Sequence, residues 1–194
     1  MNETIRFATP QDAPVLLQIY EYYITHTTVT FELTTPSVED FAQRITNTLR
    51  SYPYLVYEVD GVVVGYAYAS PYHERIAYRF SVDVSIYFAH TFATHGRGHT
   101  LYRRLFTLLQ AQGYHNAYAC CTKNNERSLR FHKKMDFVQN AIFHNAGYKF
   151  DEWLDVVWLE KCLLPPTTPH PILPLADLPA PLLSPCAVPP PTSL

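Results

Sequence analysis

No apolar run in the 194 residues approaches the roughly 18–20 that a bilayer-spanning helix requires, so no transmembrane helix and no membrane partner are expected. The opening, MNETIRFATPQD, lacks the basic stretch and following apolar stretch of a secretory leader, so export is not expected either. Cysteine is sparse. The chain has four, and Cys120 and Cys121 are adjacent, which in a strand places them on opposite faces. That is no disulfide framework, and it points to a reducing compartment, cytoplasmic or nuclear, with the cytoplasm expected. Proline is scarce before residue 165, with five positions, whereas eleven fall between Pro165 and Pro191 in a stretch without Lys or Arg. The chain therefore reads as a globular domain over residues 1–164 and a proline-rich tail over 165–194. Such a tail is expected to bury too little surface to offset chain entropy, and so to be disordered or polyproline II-like. Its PxxP segments have no basic neighbour, and a passive role is expected.

What is present is a body rich in apolar and aromatic residues, 47% and 14% of the chain, enough for a packed core. Its net charge of −2 conceals an asymmetry: residues 1–96 carry −5, residues 97–134 carry +7, and residues 135–194 carry −4. A basic segment in an acidic chain suggests a polyanionic ligand beside it, although charge alone allows solvated helix faces equally.

A short strand at residues 5–8 is followed by a helix whose Val15, Leu16, Ile19, Tyr20 and Tyr23 recur at helical spacing. Ser37 and Asp40 resemble a capping box opening a second helix to about Arg50. Asp60-Gly61 between two β-rich runs signals a hairpin. Residues 80–88 alternate Val82, Val84 and Ile86 against Ser81, Asp83, Ser85 and Tyr87, one face aliphatic and the other polar. A loop then leads to a helix carrying Leu101, Leu105, Leu108 and Leu109, stopped by Gly113. A strand at 116–122, a helix capped by Asn124 or Asn125, and strands near 138–145 and 153–160 complete a mixed α/β sheet with helices on both faces.

The loop Thr94, His95, Gly96, Arg97, Gly98 and His99 joins a strand end to a helix start. Two glycines there expose backbone N–H groups at the positive end of a helix dipole, an anion site suited to pyrophosphate. His90, His95 and His99 lack metal-ligand spacing, and no metal is expected. The tyrosines at 52, 54, 57, 66, 68 and 72 fall mostly at strand spacing and read as packing, so no nucleic-acid partner is expected.

This loop resembles the acetyl-CoA motif Gln/Arg-x-x-Gly-x-Gly/Ala of the GNAT acyltransferases. Residues 93–98 match both glycines and replace the leading residue by Ala93; a second register starts at His95 and ends at Thr100. More specifically, the chain is similar to the phosphinothricin and methionine sulfoximine N-acetyltransferase branch from about Ile5 to Leu163. The matching segments are TTVTFE at 27–32, VGYAYASP at 64–71, AYRFSVDVSIY at 77–87, NERS at 125–128 through His132, GYKF at 147–150 and WLD at 153–155.

The resemblance implies the GNAT fold, with a central, mostly antiparallel sheet flanked by helices. It implies acetyl transfer from acetyl-CoA to a small amino-acid-like amine by direct attack in a ternary complex. Ile86, Tyr87 and Phe88 would hold the pantetheine arm, residues 94–99 the pyrophosphate, and Asn125 a further cofactor contact. Asp83 stands where the family uses a Glu as base, one methylene shorter, and His132 matches the family histidine. The acceptor pocket would draw on Phe31, Glu32, Arg75, Ile76, Ala77, Tyr78 and Arg79. Strand N–H groups would stabilise the oxyanion, and neither adjacent cysteine is needed as nucleophile. Asp136 replaces a family glycine, which implies a left-handed backbone there. A homodimer is implied by the same analogy. A degenerate relative that binds CoA or a protein partner without catalysis is the alternative, motivated by Asp83, Ala93 and Asp136.

Overall fold

The computed structural model describes residues 1–92 and 95–188. Local chemistry sets its corners. Asp60 and Gly61 take φ of +49° and +80°, the left-handed pair of a tight hairpin turn, and join β2 (Tyr54–Val59) to β3 (Val62–Pro71). Ser37 accepts the Asp40 N–H at 3.0 Å and opens α2 (Val38–Leu49), packed beside α1 (Ala13–His26). Gly113, at φ +98°, ends α3 (Arg97–Gln112). Asp136 takes the left-handed conformation its sequence context implies, φ +64°, after α4 (Glu126–Lys134).

The remaining strands are β1 (Glu3–Phe7), β4 (Ser81–Phe88), β5 (Asn116–Thr122), β6 (Val138–Lys149), β7 (Glu152–Cys162) and β8 (Cys186–Ala187). They form one sheet in the order β6-β7-β5-β4-β3-β2-β1-β8, antiparallel at every pairing but β4–β5. The β6–β7 hairpin is longer than the alternation at 138–145 and 153–160 suggests, because irregular register after Gln139 and Phe143 interrupts the period without ending the pairing.

Strand alternation divides the core. Val82, Val84, Phe88, Ala117, Ala119 and Cys121 bury with Leu101, Leu105 and Leu108 of α3. Tyr54, Val56 and Tyr66 bury with Leu16, Ile19, Phe41 and Ile45 of α1 and α2. No helix among the described residues is long and apolar enough to cross a membrane.

The tail differs from the sequence expectation. Over residues 165–188 it is not a free coil, and residue 164 does not bound the packed structure. Leu175 and Leu178 are buried in the α3-side core. Arg104 donates to the Leu182 carbonyl at 2.6 Å, and α5 (Ala180–Leu183) leads into β8, which pairs with β1. Composition measures what a segment can bury by itself. Here the body supplies the other surface, and the unpaired edge of β1 supplies hydrogen-bonding partners. Residues 189–194 lie outside the described residues.

Candidate active site

β4 pairs with β3 from Val82 to Phe88, but with β5 it pairs only over Ser81–Asp83 against Asn116–Tyr118. Past Asp83 the parallel strands part. The β4 backbone groups that face β5 from Val84 onward thus have no strand partner, and an extended chain with amide groups can take that place. The gap opens into a cleft of about 290 Å³ lined by Ile86, Phe88, Gly98, Asn125, Arg127, Ser128 and Phe131. Its inner end is lined by Ser85, Tyr87, Tyr102, Cys120, Cys121 and His132. Two glycines shape it: a Cβ on Gly65 would overlap the Phe88 ring, and one on Gly98 would stand 3.1 Å from Phe131. A cavity of about 340 Å³ where the tail leaves the body is lined by His115 and Cys162 but by no carboxylate.

Asp83 lies at the last paired position before the strands separate. Its Oδ1 is enclosed and meets no hydrogen-bond donor among the described residues. Burial without a partner pushes its carboxyl pKa up to about 7. It sits opposite Ser70 on β3 and Tyr118 on β5. Cys120 shares that face, but burial and the nearby Cys121 and Asp83 push its thiol up to about 12, so it is not a ready thiolate.

At the glycine loop, His95 and Gly96 both have positive φ, +38° and +85°, and Gly96 caps α3 without a side-chain hydrogen bond to the first turn. The His99 N–H already donates to the Gly96 carbonyl at 2.9 Å, so the amides of this turn able to serve a phosphate are those that precede it. Thr94, along with Ala93, lies outside the described residues. The Arg97 side chain faces β1: its Nη2 and Nε donate to Glu3 at 2.5 and 3.1 Å, and the guanidinium lies over Phe92. Positive charge at the cleft comes instead from Arg127 in its lining, and from Arg103 and Lys134 near His99, whose pKa burial and those cations lower. Asn125 caps α4, its Oδ1 accepting the Ser128 N–H at 3.1 Å while the residue lines the cleft.

His132 is buried, with both ring nitrogens engaged. The Ser128 carbonyl, 2.9 Å from Nδ1, can only accept, so Nδ1 carries the proton. Nε2 then accepts from the Tyr102 hydroxyl at 3.3 Å. Burial lowers the His132 pKa and keeps the ring neutral.

On the acceptor side, the structure brings Glu32 to the Asp83 face, held by Arg44 at 2.6 Å and Tyr20 at 3.1 Å. Phe31 packs on Gly147, where a side chain would overlap its ring, and Lys149 donates to the Thr30 carbonyl at 2.8 Å. The β6–β7 hairpin thereby fixes the loop that carries both residues. Arg75, Ile76, Ala77, Tyr78 and Arg79 form an exposed segment around a 3-10 turn between β3 and β4 and do not line the cavity around Glu32. Arg44, Tyr20, Tyr68 and Tyr102 are absent from the sequence-derived site. Arg44 sits on an amphipathic helix, where a charged residue reads as solvated surface, and the tyrosines read as core.

The family model for the acetyltransferase (GNAT) domain matches residues 5–158. The chain is 32% identical over 174 residues to a phosphinothricin N-acetyltransferase of Streptomyces viridochromogenes, covering 90% of this chain and 95% of that one. It is 30% identical to an L-methionine sulfoximine/L-methionine sulfone acetyltransferase of Salmonella typhimurium, covering 81% and 92%. Among solved structures, a GNAT superfamily phosphinothricin acetyltransferase from Sinorhizobium meliloti in complex with AcCoA superposes with a TM-score of 0.83 at 30% identity, covering 88% of this chain and 94% of that one.

Proposed function

Since this chain belongs to the GNAT acetyltransferase family, we propose that it moves an acetyl group from acetyl-CoA to the amine of a small amino-acid-like acceptor, of phosphinothricin or methionine sulfoximine type, within a ternary complex. The observation that carries this reading is Asp83: a half-buried carboxylate, one oxygen of which is enclosed without a donor among the described residues, at the point where β4 and β5 part.

The residues fit acetyl-CoA. The β4 edge at Ile86, Tyr87 and Phe88, which has no strand partner and whose Phe88 carbonyl accepts from the Tyr23 hydroxyl at 2.6 Å, would hold its amide-bearing arm, and the first turn of α3 at Gly96, Arg97, Gly98 and His99 its phosphates, with Arg127 and Asn125 beside them. Bound there, it supplies an activated thioester. Unpaired β4 N–H groups at the gap donate to the oxygen that gains charge as the amine attacks. An α-amine, with a pKa of about 8, is mostly protonated at neutral pH and cannot attack in that form. Asp83, with its pKa at about 7, is about half ionised at neutral pH and accepts the amine proton; as the C–N bond forms the thioester C–S bond would break, and CoA would leave as the thiolate and take up a proton. His132 and Tyr102 act differently. Nε2 holds the Tyr102 proton and Nδ1 is spent on the Ser128 carbonyl, so His132 is a positioning residue that fixes Tyr102 at the inner end of the cleft.

A second copy of the chain is further proposed to cover β6, an edge strand with Val138, Phe143 and Tyr148 exposed beside Trp153 of β7. Light scattering that finds a monomer removes this part. For the reaction, a panel of amino acids and other small amines is incubated with acetyl-CoA and read by mass spectrometry of products. Acetylated amino acid that disappears in a folded Asp83→Ala variant is expected. Turnover unchanged in that variant removes Asp83 as base, and no product from any amine removes the reaction.

A further inference from the structure

On the Asp83 face of the sheet, a separate cavity of about 250 Å³ is lined by Tyr20, Tyr54, Tyr68, Ser70, Glu32 and Arg44. Tyr54 and Tyr68 stack with ring centroids 4.8 Å apart, so the wall is rigid. The cavity ends beside the proposed base, at Ser70, the cross-strand partner of Asp83, and the half-buried Tyr68 lies close enough to Glu32, Arg44 and Asp83 to feel the charge of each. Ser70 and Tyr68 are two residues apart on one strand face, roughly 7 Å.

Arg44 is the cation of this cavity. Its Nη1 donates to Glu32 Oε1, which also accepts from Tyr20, so the Glu32 charge is matched. Nε and Nη2 of Arg44 meet no protein acceptor among the described residues. A guanidinium with two open donors is a fork for a carboxylate or another anionic pair of oxygens. The volume is below the ~300 Å³ at which complete small-molecule sites begin, so the cavity takes one arm of a ligand.

We propose that this cavity is the side-chain subsite of the acceptor, and that Arg44 selects amino acids whose side chain ends in an anionic oxygen group. The assignment rests on the acetyl-transfer reading of Asp83: with the amine at Asp83, the side chain runs along Ser70 and Tyr68 to Arg44. Glu32 anchors the guanidinium and lowers its freedom to turn away.

The test compares L-glutamate with its neutral isostere L-glutamine as acceptors for the wild-type protein, Arg44→Met and Arg44→Lys. The wild type is expected to favour glutamate by about tenfold or more in kcat/KM, the scale of a charge-assisted hydrogen bond. Arg44→Met is expected to lose that preference through KM for glutamate, with KM for acetyl-CoA unchanged, and Arg44→Lys to keep part of it. A wild-type ratio near one overturns the subsite, whether or not Arg44→Met folds, and so does a ratio that Arg44→Met leaves intact. If other amines are acetylated but neither of these is, the subsite falls and the reaction stands. If no amine is acetylated, the reaction falls, and calorimetric titration with glutamate decides the subsite: binding lost in Arg44→Met upholds it, and no binding to the wild type overturns it.

Discussion

Glu3 and Asp83 are carboxylates on strands of one sheet, and their surroundings are opposite. Glu3, on β1, is 7% exposed and accepts from Arg97 and Tyr57, and these donors hold its pKa below the usual carboxylate range. Asp83, on β4, has an enclosed oxygen with no donor, and its pKa rises to about 7. Both are withdrawn from solvent, Glu3 fully and Asp83 in part, and pairing separates them. A paired carboxylate ties elements together: Glu3 joins β1 to the start of α3, and its carbonyl accepts the N–H of Val188 in the tail. An unpaired one lowers stability when ionised and is available to take a proton.

That contrast can be broken by substitution. The largest effect is expected for Asp83→Ala, a loss of about 10²–10⁴-fold in kcat with the melting temperature held or raised; a loss of fold with no separable loss of rate would make Asp83 structural. Next, truncation after Leu164 strips the cover from the Glu3 side. Leu175 and Leu178 are buried there, and about 3 kcal/mol or more of stability should go with them, read by urea denaturation. An unchanged midpoint would show that the tail does not pack. Glu3→Gln removes the carboxylate to which Arg97 donates and should cost about 3–5 kcal/mol, with rate at saturating substrates little altered.

The pH dependences should run in opposite directions. The Glu3 pKa is depressed, so its contribution is full above the unfolded value of 4.5 and lost as pH falls through the folded one. The Asp83 pKa is raised, so its ionisation subtracts stability as pH rises from 3.8 through about 7. Melting curves of Asp83→Asn against wild type should coincide near pH 3 and separate by pH 8, the variant melting higher; equal curves at pH 8 would mean that Asp83 is solvated or paired. The same ionisation should give kcat/KM a rise with its midpoint near pH 7. The smallest effect is expected for His132→Gln, a loss below about tenfold without a shift of that midpoint. A loss matching Asp83→Ala would make His132 a direct participant.

Whatever depends on near neighbours along the chain is legible in the residues themselves. Period-two alternation placed Asp83 on the polar face of β4, Asp60-Gly61 set the hairpin, and Gly96 and Gly113 framed α3. Those are local matters of sterics and periodicity. The body's order of elements followed from the same signals. Tertiary structure alone decided which charges meet. Arg97 is 94 residues from Glu3 and belongs by sequence to a basic segment, yet the fold turns its side chain to β1. Arg44 looks like a solvated helix residue until α2 is laid beside the loop carrying Glu32. The tail reads as unable to fold because its composition counts only its own apolar surface, whereas Leu175 and Leu178 are buried by surface that the body provides. The separation of β4 from β5 after Asp83, which leaves a strand edge open to a ligand, is a property of pairing between distant strands, and no residue within β4 records it.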